Sequence, residues 1–363
     1  MKKITRILDF CPDYDLRNIS SLEEMLLFDI ETTGLKKEST QLYLIGCVYY
    51  QNGHWFTIQW LTENASDEFD VLEEFLDFAQ SYNVLVHFNG DGFDLPYLQY
   101  KADYYQLGID FGKFRSFDIY KRAKKSRKML AMKSMSQKSI EQFLGIYRED
   151  QLNGGLLIPV YYNYEKTNSK ELERLLLLHN YDDLQGMLKI LPILCYTDAL
   201  EGKLKLLKRE ECQNTAIFEY EMETSVPVMF EAHFQAECQE NEITVCMEKN
   251  MLQISVPILD TIGRIPLDNV SDYYYLPEQD MVIHKDLAQF MEKSRRVKAT
   301  KKNCCLKKQS RFILQPKSCF APEFYLEGYK KSTFADYNAL IQDADSVKLT
   351  NYGYDLLHMI SGC

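Results

Sequence analysis

Four carboxylates occupy positions where they could together hold divalent cations. Asp29 and Glu31 end the apolar segment LLFDIE, and side chains i and i+2 of a strand project from the same face. Asp94 follows a second apolar segment and a glycine-rich turn in VLVHFNGDGFD, and Asp183 lies in a third segment with helical periodicity. Burying these carboxylates together is unfavourable unless cations offset their charge. The sequence therefore predicts a metal site.

A histidine adds a group that could move a proton at this site. His179 and Asp183 lie four residues apart in ELERLLLLHNYDDLQGMLK, so they share one face of the predicted helix. Imidazole gains and loses a proton near neutral pH, which suits a general base. Asp182 points to another side of the helix, and Asp91 is interpreted as a turn residue beside two glycines.

The elements that must position these residues follow from the hydrophobic pattern. Strands are predicted at residues 26–30, 41–50 and 55–61, a helix at 68–80, a strand at 84–88, a helix opening near Asp94 and a strand at 117–120. Helices complete this half of the chain. Three strands before the first helix predict an α/β fold in which antiparallel strands lead into alternating helices and parallel strands.

Three ordered motifs carry a family resemblance. They are DIETTG from Asp29, FNG followed by the Phe-Asp pair ending at Asp94, and His-Asn followed by Asp183. Together they resemble the DEDD 3′–5′ exonuclease superfamily, and in particular the predicted bacterial RNase H-like exonucleases of the YprB type. Those proteins are similar to the proofreading domains of family B DNA polymerases. The resemblance covers roughly residues 20 to 195 and implies a ribonuclease H-like mixed sheet flanked by helices.

The resemblance also implies a reaction. Asp29, Glu31, Asp94 and Asp183 would hold two Mg²⁺ or Mn²⁺ ions about 4 Å apart, one activating water and the other stabilising the leaving oxygen. Hydrolysis of a phosphodiester would then release nucleoside 5′-monophosphates. The terminal nucleotide would be held by the backbone of Thr32, Thr33, Gly34 and Leu35 and by the side chains of Asn89 and Phe93.

The chain departs from the superfamily in its water-orienting residue. The superfamily places a Tyr four residues before the last Asp, or a His five residues before it. Here His179 stands at the Tyr spacing, Leu178 at the His spacing, and Tyr181 only two residues before Asp183. The sequence leaves this role open between His179 and Tyr181.

Positive charge is concentrated in two segments of an acidic chain. The net charge is −11, yet residues 113–138 and 293–311 are both strongly basic. A positive stripe on an acidic body would guide a polyanion along one path. Within the first segment we predict substrate contacts from Lys121, Arg122, Lys124 and Lys125. The alternative interpretation is solvated surface charge.

Length and composition predict two domains. The 363 residues, 46% of them apolar, could bury one large core or two ordinary ones. We predict an RNase H-like exonuclease domain over residues 1–200. Residues 201–363 would form an α+β domain with an antiparallel sheet and a hairpin turn at 248–250. We expect this domain to bind substrate or a partner.

Cellular context is also predicted from the sequence. The chain has no apolar run of about 18 residues and no segment adequate for a signal peptide. Its 10 cysteines are scattered without CxxC pairs, which favours reduced thiols. We expect a cytoplasmic protein that does not associate with membranes.

The leading hypothesis is a metal-dependent 3′–5′ exonuclease acting on single-stranded or frayed DNA or RNA. Three alternatives remain: a structure-selective RNase H-like endonuclease, a catalytically inactive nucleic-acid-binding module, and a phosphodiesterase specific for dinucleotides. The sequence does not distinguish DNA from RNA, because that choice depends on how the pocket treats the 2′-hydroxyl.

Overall fold

The computed structural model describes residues 1–147, 154–235, 242–317, 319–329 and 331–362. The chain divides into two compact units. Residues 1–127 and 132–197 form the first unit, and residues 128–131 and 198–363 form the second. No helix in the described ranges is both long enough and apolar enough to cross a membrane.

A six-stranded mixed sheet forms the centre of the first unit. Its strands, in chain order, are β1 (Lys2–Leu8), β2 (Met25–Thr32), β3 (Leu42–Gln51), β4 (His54–Leu61), β5 (Val84–His87) and β6 (Arg115–Asp118). They lie in the order β1-β4-β3-β2-β5-β6. The pairings among β1, β4, β3 and β2 are antiparallel, whereas β5 runs parallel to both β2 and β6.

Seven α-helices accompany this sheet within the residues that the structure describes. They are α1 (Glu68–Ala79), α2 (Asp94–Tyr104), α3 (Ile119–Ala123), α4 (Gln137–Phe143), α5 (Gly154–Thr167), α6 (Lys170–Lys189) and α7 (Leu194–Glu201), the last of which includes the unit boundary. Helix α1 packs against β3 and β4, and α6 packs against β2, β3 and β4.

The two faces of β2 have different roles. Leu26, Phe28 and Ile30 belong to a hydrophobic core that also contains the buried side of α1. Because side chains alternate along a strand, Asp29 and Glu31 project from the opposite face. The strand thus combines core packing on one side with two carboxylates on the other.

Two sequence predictions are corrected in the first unit. Four strands precede the first helix rather than three, because β1 was missed; the only side chain it buries is that of Leu8, so it lacks an apolar pattern. The strand predicted at 117–120 lies at Arg115–Asp118, and Tyr120 is in α3. Asp118 ends the strand because its side chain caps α3, accepting a hydrogen bond from the backbone N–H of Lys121.

The described part of the second unit contains two antiparallel sheets. The larger has the order β14-β13-β9-β8-β7 and the smaller the order β11-β10-β12. The strands are β7 (Leu204–Cys212), β8 (Thr215–Gln235), β9 (Glu242–Pro266), β10 (Tyr273–Leu276), β11 (Met281–His284), β12 (Val297–Lys298), β13 (Cys305–Gln315) and β14 (Thr333–Asp336). The helices are α8 (Lys285–Ala288), α9 (Tyr337–Asp343) and α10 (Ser346–Ser361).

The hairpin turn predicted at 248–250 is wrong. Strand β9 continues through these residues, with Lys249 in a left-handed conformation at φ 53°. Opposite it, β8 shifts register between Glu221 and Val226 and again before Phe230. The turn-forming residues therefore lie at a bulge-like irregularity in the pairing of β8 with β9. The chain does not reverse direction there.

Candidate active site

Strand β2 presents the first two carboxylates in the middle of the sheet. Asp29 lies opposite Gly46 of β3, and the β2–β3 register shifts directly after Glu31. Asp29 is half-buried, whereas Glu31 is 8% exposed and lies 3.5 Å from the hydroxyl of Tyr43. The irregularity ends regular pairing at the point where the chain leaves the strand.

Helix α6 brings two further groups to Glu31. His179 is 4% exposed, and its Nε2 lies 3.3 Å from Oδ2 of Asp183 and 3.6 Å from Oε1 of Glu31. Candidate ligand atoms of Glu31, His179 and Asp183 all lie within 4.8 Å of one another. The i, i+4 spacing thus places both helix residues on the face that meets β2.

Asp94 reaches the same region from the start of α2. It is the first residue of that helix and is 8% exposed. Its carboxylate accepts hydrogen bonds from its own backbone N–H and from the backbone N–H of Ile30, between Asp29 and Glu31. The parallel pairing of β2 and β5 explains this approach, since parallel strands bring their carboxyl ends to one edge.

The electrostatics show that these carboxylates interact strongly. Burial, followed by repulsion from Asp183, Glu31 and Asp94, raises the pKa of Asp29 well above its ordinary value, although a hydrogen bond from Asn180 opposes the shift. Burial also raises the pKa of Asp94 to about 7 despite its backbone hydrogen bonds, and repulsion from Asp118 adds to this. Proximity, burial and raised pKa values make this a cluster in which negative charge is costly.

The donor set fits a hard divalent cation. Carboxylate oxygens are the ligands that Mg²⁺ and Mn²⁺ prefer, and a bound cation would relieve the repulsion that raises the pKa of Asp29. Asp29, Glu31, Asp94 and Asp183 could hold such an ion or ions. The contacts of His179 with two of these carboxylates also place an imidazole within reach of the same space.

The raised pKa of Asp94 predicts how stability depends on pH without metal. Between its ordinary value of 3.8 and about 7, the folded protein retains a proton that the unfolded chain has lost. The free energy of unfolding should therefore fall as pH rises through this range. In EDTA, we expect urea to unfold the protein more readily at about pH 7.5 than at about pH 5.

The matched variant for this prediction is Asp94→Asn, which should show a flatter profile. Adding Mn²⁺ should restore stability to the wild-type protein chiefly at the higher pH, where the carboxylates are ionised and can bind it. Equal pH dependence in the wild-type protein and Asp94→Asn would contradict the assignment of this shift.

The predicted terminal-nucleotide contacts lie around the carboxylates in sequence but differ in exposure. Thr32, Thr33 and Gly34 are half-buried, whereas Leu35 is 83% exposed. Asn89 is exposed in a left-handed conformation at φ 63°, which Asn tolerates well. A nucleotide could reach Leu35 and Asn89 without rearrangement of the core.

Phe93 immediately precedes Asp94. Its half-buried ring packs against Tyr97, with 5.5 Å between ring centroids. This contact fixes the ring beside the first turn of α2.

The predicted basic contacts lie on and after α3. Lys121, Lys124 and Lys125 are exposed, and Arg122 is half-buried. Lys121 Nζ donates to Asp91 Oδ2 at 2.6 Å, and Lys124 Nζ lies 5.6 Å from the centroid of the Tyr120 ring. The Asp91 contact ties Lys121 directly to the turn that precedes Asp94.

A polar network supports that turn. His87 Nδ1 accepts from the backbone N–H of Gly90 at 3.0 Å, and its Nε2 lies 2.8 Å from Ser116 Oγ, which donates to Asp91. A Cβ on Gly90 would lie 2.8 Å from the imidazole, so glycine allows this close approach. Both ring nitrogens of His87 are engaged, which favours a structural role for this histidine.

Asp118 has a structural role with one unusual feature. Its Oδ1 accepts from the backbone N–H groups of Asn89 and Lys121, at 2.9 and 3.2 Å. Its buried Oδ2 has no hydrogen-bond partner among the described residues. Asp118 thereby connects the glycine-rich turn to the start of α3.

Sequence reasoning missed Asn180 and Gln59 as parts of the site. Asn180 Nδ2 donates to Asp29 Oδ2 at 2.9 Å, and Gln59 Nε2 donates to Asn180 Oδ1 at 2.9 Å. The available signals were the Asn beside His179 and a glutamine inside the otherwise apolar segment IQWL. Neither signal alone specified a partner.

Comparison with known proteins identifies the first unit. The model of the RNase H superfamily matches residues 26–195. No curated protein matches the chain. The mixed sheet with flanking helices agrees with the RNase H-like architecture expected from the sequence, and the antiparallel sheets of the second unit agree with the predicted α+β arrangement.

Several solved structures are similar to parts of the chain. The family B DNA polymerase of the archaeon Pyrobaculum calidifontis is 19% identical, with a TM-score of 0.38 over 48% of this chain and 26% of its own. An apo exonuclease I structure is 10% identical, with a TM-score of 0.28 over 53% of this chain and 55% of its own.

A zinc-bound complex of E. coli exonuclease I with single-stranded DNA is 9% identical. Its TM-score is 0.28 over 93% of this chain and 72% of its own. The chain thus spans only about a quarter and about half of the first two structures. The family match and the sheet architecture, and not these weak similarities, show that residues 26–195 form a domain of the RNase H superfamily.

Proposed function

We propose that this protein is a metal-dependent 3′–5′ exonuclease that hydrolyses phosphodiester bonds of single-stranded or frayed nucleic acid. The observation that carries the proposal is the meeting of Asp29, Glu31, Asp94 and Asp183, contributed by a central strand and two helices of an RNase H superfamily domain. A carboxylate cluster of this kind suits phosphodiester chemistry, in which divalent cations neutralise developing negative charge.

The cations proposed are two Mg²⁺ or Mn²⁺ ions held by those four carboxylates. When bound, they would supply a nucleophile at neutral pH and stabilise charge on the leaving oxygen. The protein's own contribution is to fix the carboxylates on regular elements and to restrict water around Glu31 and His179, both less than 9% exposed.

His179 is the group best placed to hold a proton at this site. Its Nε2 lies within 3.6 Å of two carboxylates, and its helix position is fixed by the buried residues around it. Tyr181 is less well placed, because its ring lies 5.2 Å from the guanidinium carbon of Arg6. We therefore assign to His179 the orientation of the attacking water and acceptance of its proton.

The nucleic acid would approach along the exposed cations of α3 and the residues after it. Lys124 and Lys125 are exposed in the chain that follows Asp118, which itself holds the Asn89 turn. Cationic side chains on this route would contact phosphates without reading sequence. The turn residues Asn89 and Phe93 and the segment 32–35 would hold the terminal nucleotide.

Charge reversal tests this path. We expect Lys124→Glu combined with Lys125→Glu to weaken binding of a single-stranded 20-mer about tenfold or more, and to reduce the slope of log affinity against log salt by about 1 to 2. Binding would be measured in EDTA by fluorescence anisotropy, with Asp29→Asn as the common background so that no cleavage occurs.

The control reverses two exposed lysines of the same unit, Lys166→Glu and Lys170→Glu. Lys170 pairs with Glu173, which also contacts Lys2 of β1, so Lys170 lies near the sheet edge opposite β6. The two double variants change the net charge of the protein by the same amount. An equal loss of affinity in both would show a general charge effect and reject the proposed path.

An exonuclease, an endonuclease and a small-nucleotide phosphodiesterase would form different products from the same set of substrates. The purified protein would be incubated with Mn²⁺ and a dinucleotide, a linear single strand or a circular single strand, and its products separated by chromatography. The proposal predicts nucleoside 5′-monophosphates from the linear strand and no reaction with the circle. Cleavage of the circle would indicate an endonuclease, and hydrolysis of the dinucleotide alone would indicate a small-nucleotide phosphodiesterase.

The second unit is proposed to bind substrate or a partner. Lys293, Lys298, Lys301 and Lys302 are exposed, and none lies within ion-pair distance of a carboxylate in the described part of the chain. Elsewhere in the same unit, Lys203, Lys205 and Lys208 each pair with a glutamate. These four lysines are therefore available to an anionic ligand, whereas Arg295 between them pairs with Glu278.

A further inference from the structure

A buried amide contacts one of the proposed metal ligands. Asn180 on α6 has no solvent exposure, and its Nδ2 donates to Oδ2 of Asp29 at 2.9 Å. Its Oδ1 accepts from Nε2 of Gln59 at 2.9 Å. Both polar ends of the Asn180 side chain are therefore engaged, one of them by the carboxylate.

The second amide continues the contacts toward the edge of the sheet. Gln59 on β4 is also fully buried, and its Nε2 donates in addition to the backbone carbonyl of Leu177 at 3.0 Å. Its Oε1 accepts from Nη1 of Arg6 on β1 at 2.6 Å. The Arg6 guanidinium also lies 5.2 Å from the centroid of the Tyr181 ring.

The groups at the two ends, the Arg6 guanidinium and the Asp29 carboxylate, determine in which direction these hydrogen bonds run from donor to acceptor. A guanidinium only donates hydrogen bonds, and an ionised carboxylate only accepts them. Each amide between them must then turn its oxygen toward Arg6 and its nitrogen toward Asp29. Side-chain amide orientation is ordinarily ambiguous, but a donor at one end and an acceptor at the other leave only one consistent arrangement.

A glycine in the sheet leaves room for the hydrogen-bonded side chains of Gln59 and Asn180. Gly46 on β3 pairs with Asp29 on one side and with Gln59 on the other, so it lies beneath the Asn180 amide. A Cβ at this position would lie 2.0 Å from Asn180 Oδ1 and 2.7 Å from a methyl carbon of Leu184. Any side chain at position 46 would displace the amide, so the glycine makes this route possible.

We infer that Arg6, Gln59 and Asn180 are positioning residues that orient Asp29 for metal binding through this one-directional hydrogen-bond chain. The inference rests on the proposed function and extends it to Arg6, which lies outside the residues matched by the family model. Groups that hydrogen-bond metal ligands affect metal affinity strongly, and their loss typically costs about 10- to 100-fold.

Two substitutions interrupt the series of hydrogen bonds without creating a large cavity in the core. Arg6→Met removes the terminal donor but keeps an unbranched apolar side chain at a half-buried edge position. Gln59→Glu keeps the shape of the side chain but replaces the nitrogen that donates to Asn180 with an oxygen. The Asn180 amide would then have no donor for its Oδ1 and would face two acceptors, Asp29 and the carboxylate introduced at position 59, so its Nδ2 would no longer be directed to Asp29 alone.

The measurement is Mn²⁺ binding to the full, metal-free chain by isothermal titration calorimetry without substrate. We expect the Kd for Mn²⁺ to rise about 10- to 100-fold in Arg6→Met and in Gln59→Glu. Arg6→Lys, which retains a donor, should stay within a few-fold of the wild-type protein. Gln315→Glu is the matched control, because Gln315 is a fully buried amide of the second unit and donates to the carbonyl of Phe320.

A loss of thermal stability with an unchanged Kd for Mn²⁺ would overturn the inference, because it would show a purely structural role. If Gln59→Glu does not fold, Arg6→Met on the edge strand carries the same test. Wild-type protein that binds no Mn²⁺ would overturn the proposed metal site as well. Wild-type binding with an equal Kd in the variants would overturn only the role of the hydrogen-bond chain.

Discussion

Asp183→Asn is expected to lower hydrolysis of a single-stranded oligonucleotide by about 10³-fold or more. Asn keeps the shape of the side chain but removes the negative charge that a divalent cation requires. A metal ion that neutralises transition-state charge contributes several kcal/mol, and each 1.36 kcal/mol corresponds to about a factor of ten in rate. The measurement is the initial rate of nucleotide release with saturating Mn²⁺.

The adjacent residue supplies the control. Asp182→Asn makes the same chemical change one position earlier on α6, where the side chain points away from the helix face shared by His179 and Asp183. We expect a change in rate of less than about threefold. Comparable losses in the two variants would show that the effect is not specific to the carboxylate that contacts His179.

His179→Ala is expected to lower turnover by about 10² to 10⁴-fold, the usual contribution of a positioned general base. The Nε2 atom lies between Glu31 and Asp183, so its removal would leave the attacking water without a side chain to orient it. The affinity for Mn²⁺ should change much less than turnover. Single-turnover kinetics and calorimetry on the same preparation separate these two effects.

Tyr181→Phe tests the competing assignment. Its ring packs near Arg6, and removal of its hydroxyl should leave turnover within a few-fold of the wild-type value. A large loss in Tyr181→Phe together with unchanged turnover in His179→Ala would reverse the assignment of the water-orienting residue. Unchanged turnover in both variants would exclude a water-orienting role for either side chain.

Much of the candidate site was predictable because its signals are local. Asp29 and Glu31 share a strand face through their spacing of two, and His179 and Asp183 share a helix face through their spacing of four. The glycine-rich turn before Asp94 indicates, from the sequence alone, that a strand ends and a helix begins. Each of these features requires only that the local element form.

The supporting hydrogen bonds could not be predicted in the same way. Gln59 and Asn180 are 121 residues apart, and Arg6 and Gln59 are 53 residues apart. Their contacts depend on the pairing of β1 with β4 and on the position of α6 across the sheet. Strand β1 was itself missed, because a strand that buries only Leu8 has no distinct apolar pattern.

The second unit shows the same limit in another form. Alternating residues identified strand segments in β8 and β9, yet the turn-forming residues near Lys249 suggested a reversal that does not occur. A turn signal and a bulge signal use similar residues, and only the register of the opposing strand distinguishes them. Lys293, Lys298, Lys301 and Lys302 were evident in sequence as basic residues, whereas the structure was required to show that they have no acidic partner in the described part of the chain.

The most direct test of the central claim uses a 5′-labelled single strand with Mn²⁺, with Mg²⁺ or with EDTA. Purified wild-type protein and Asp29→Asn would be compared on both DNA and RNA, with products resolved on a denaturing gel. We predict a ladder that shortens progressively from the 3′ end, requires a divalent cation and is absent in Asp29→Asn. Intact substrate at every metal concentration, despite measurable binding, would contradict catalysis and favour a nucleic-acid-binding module.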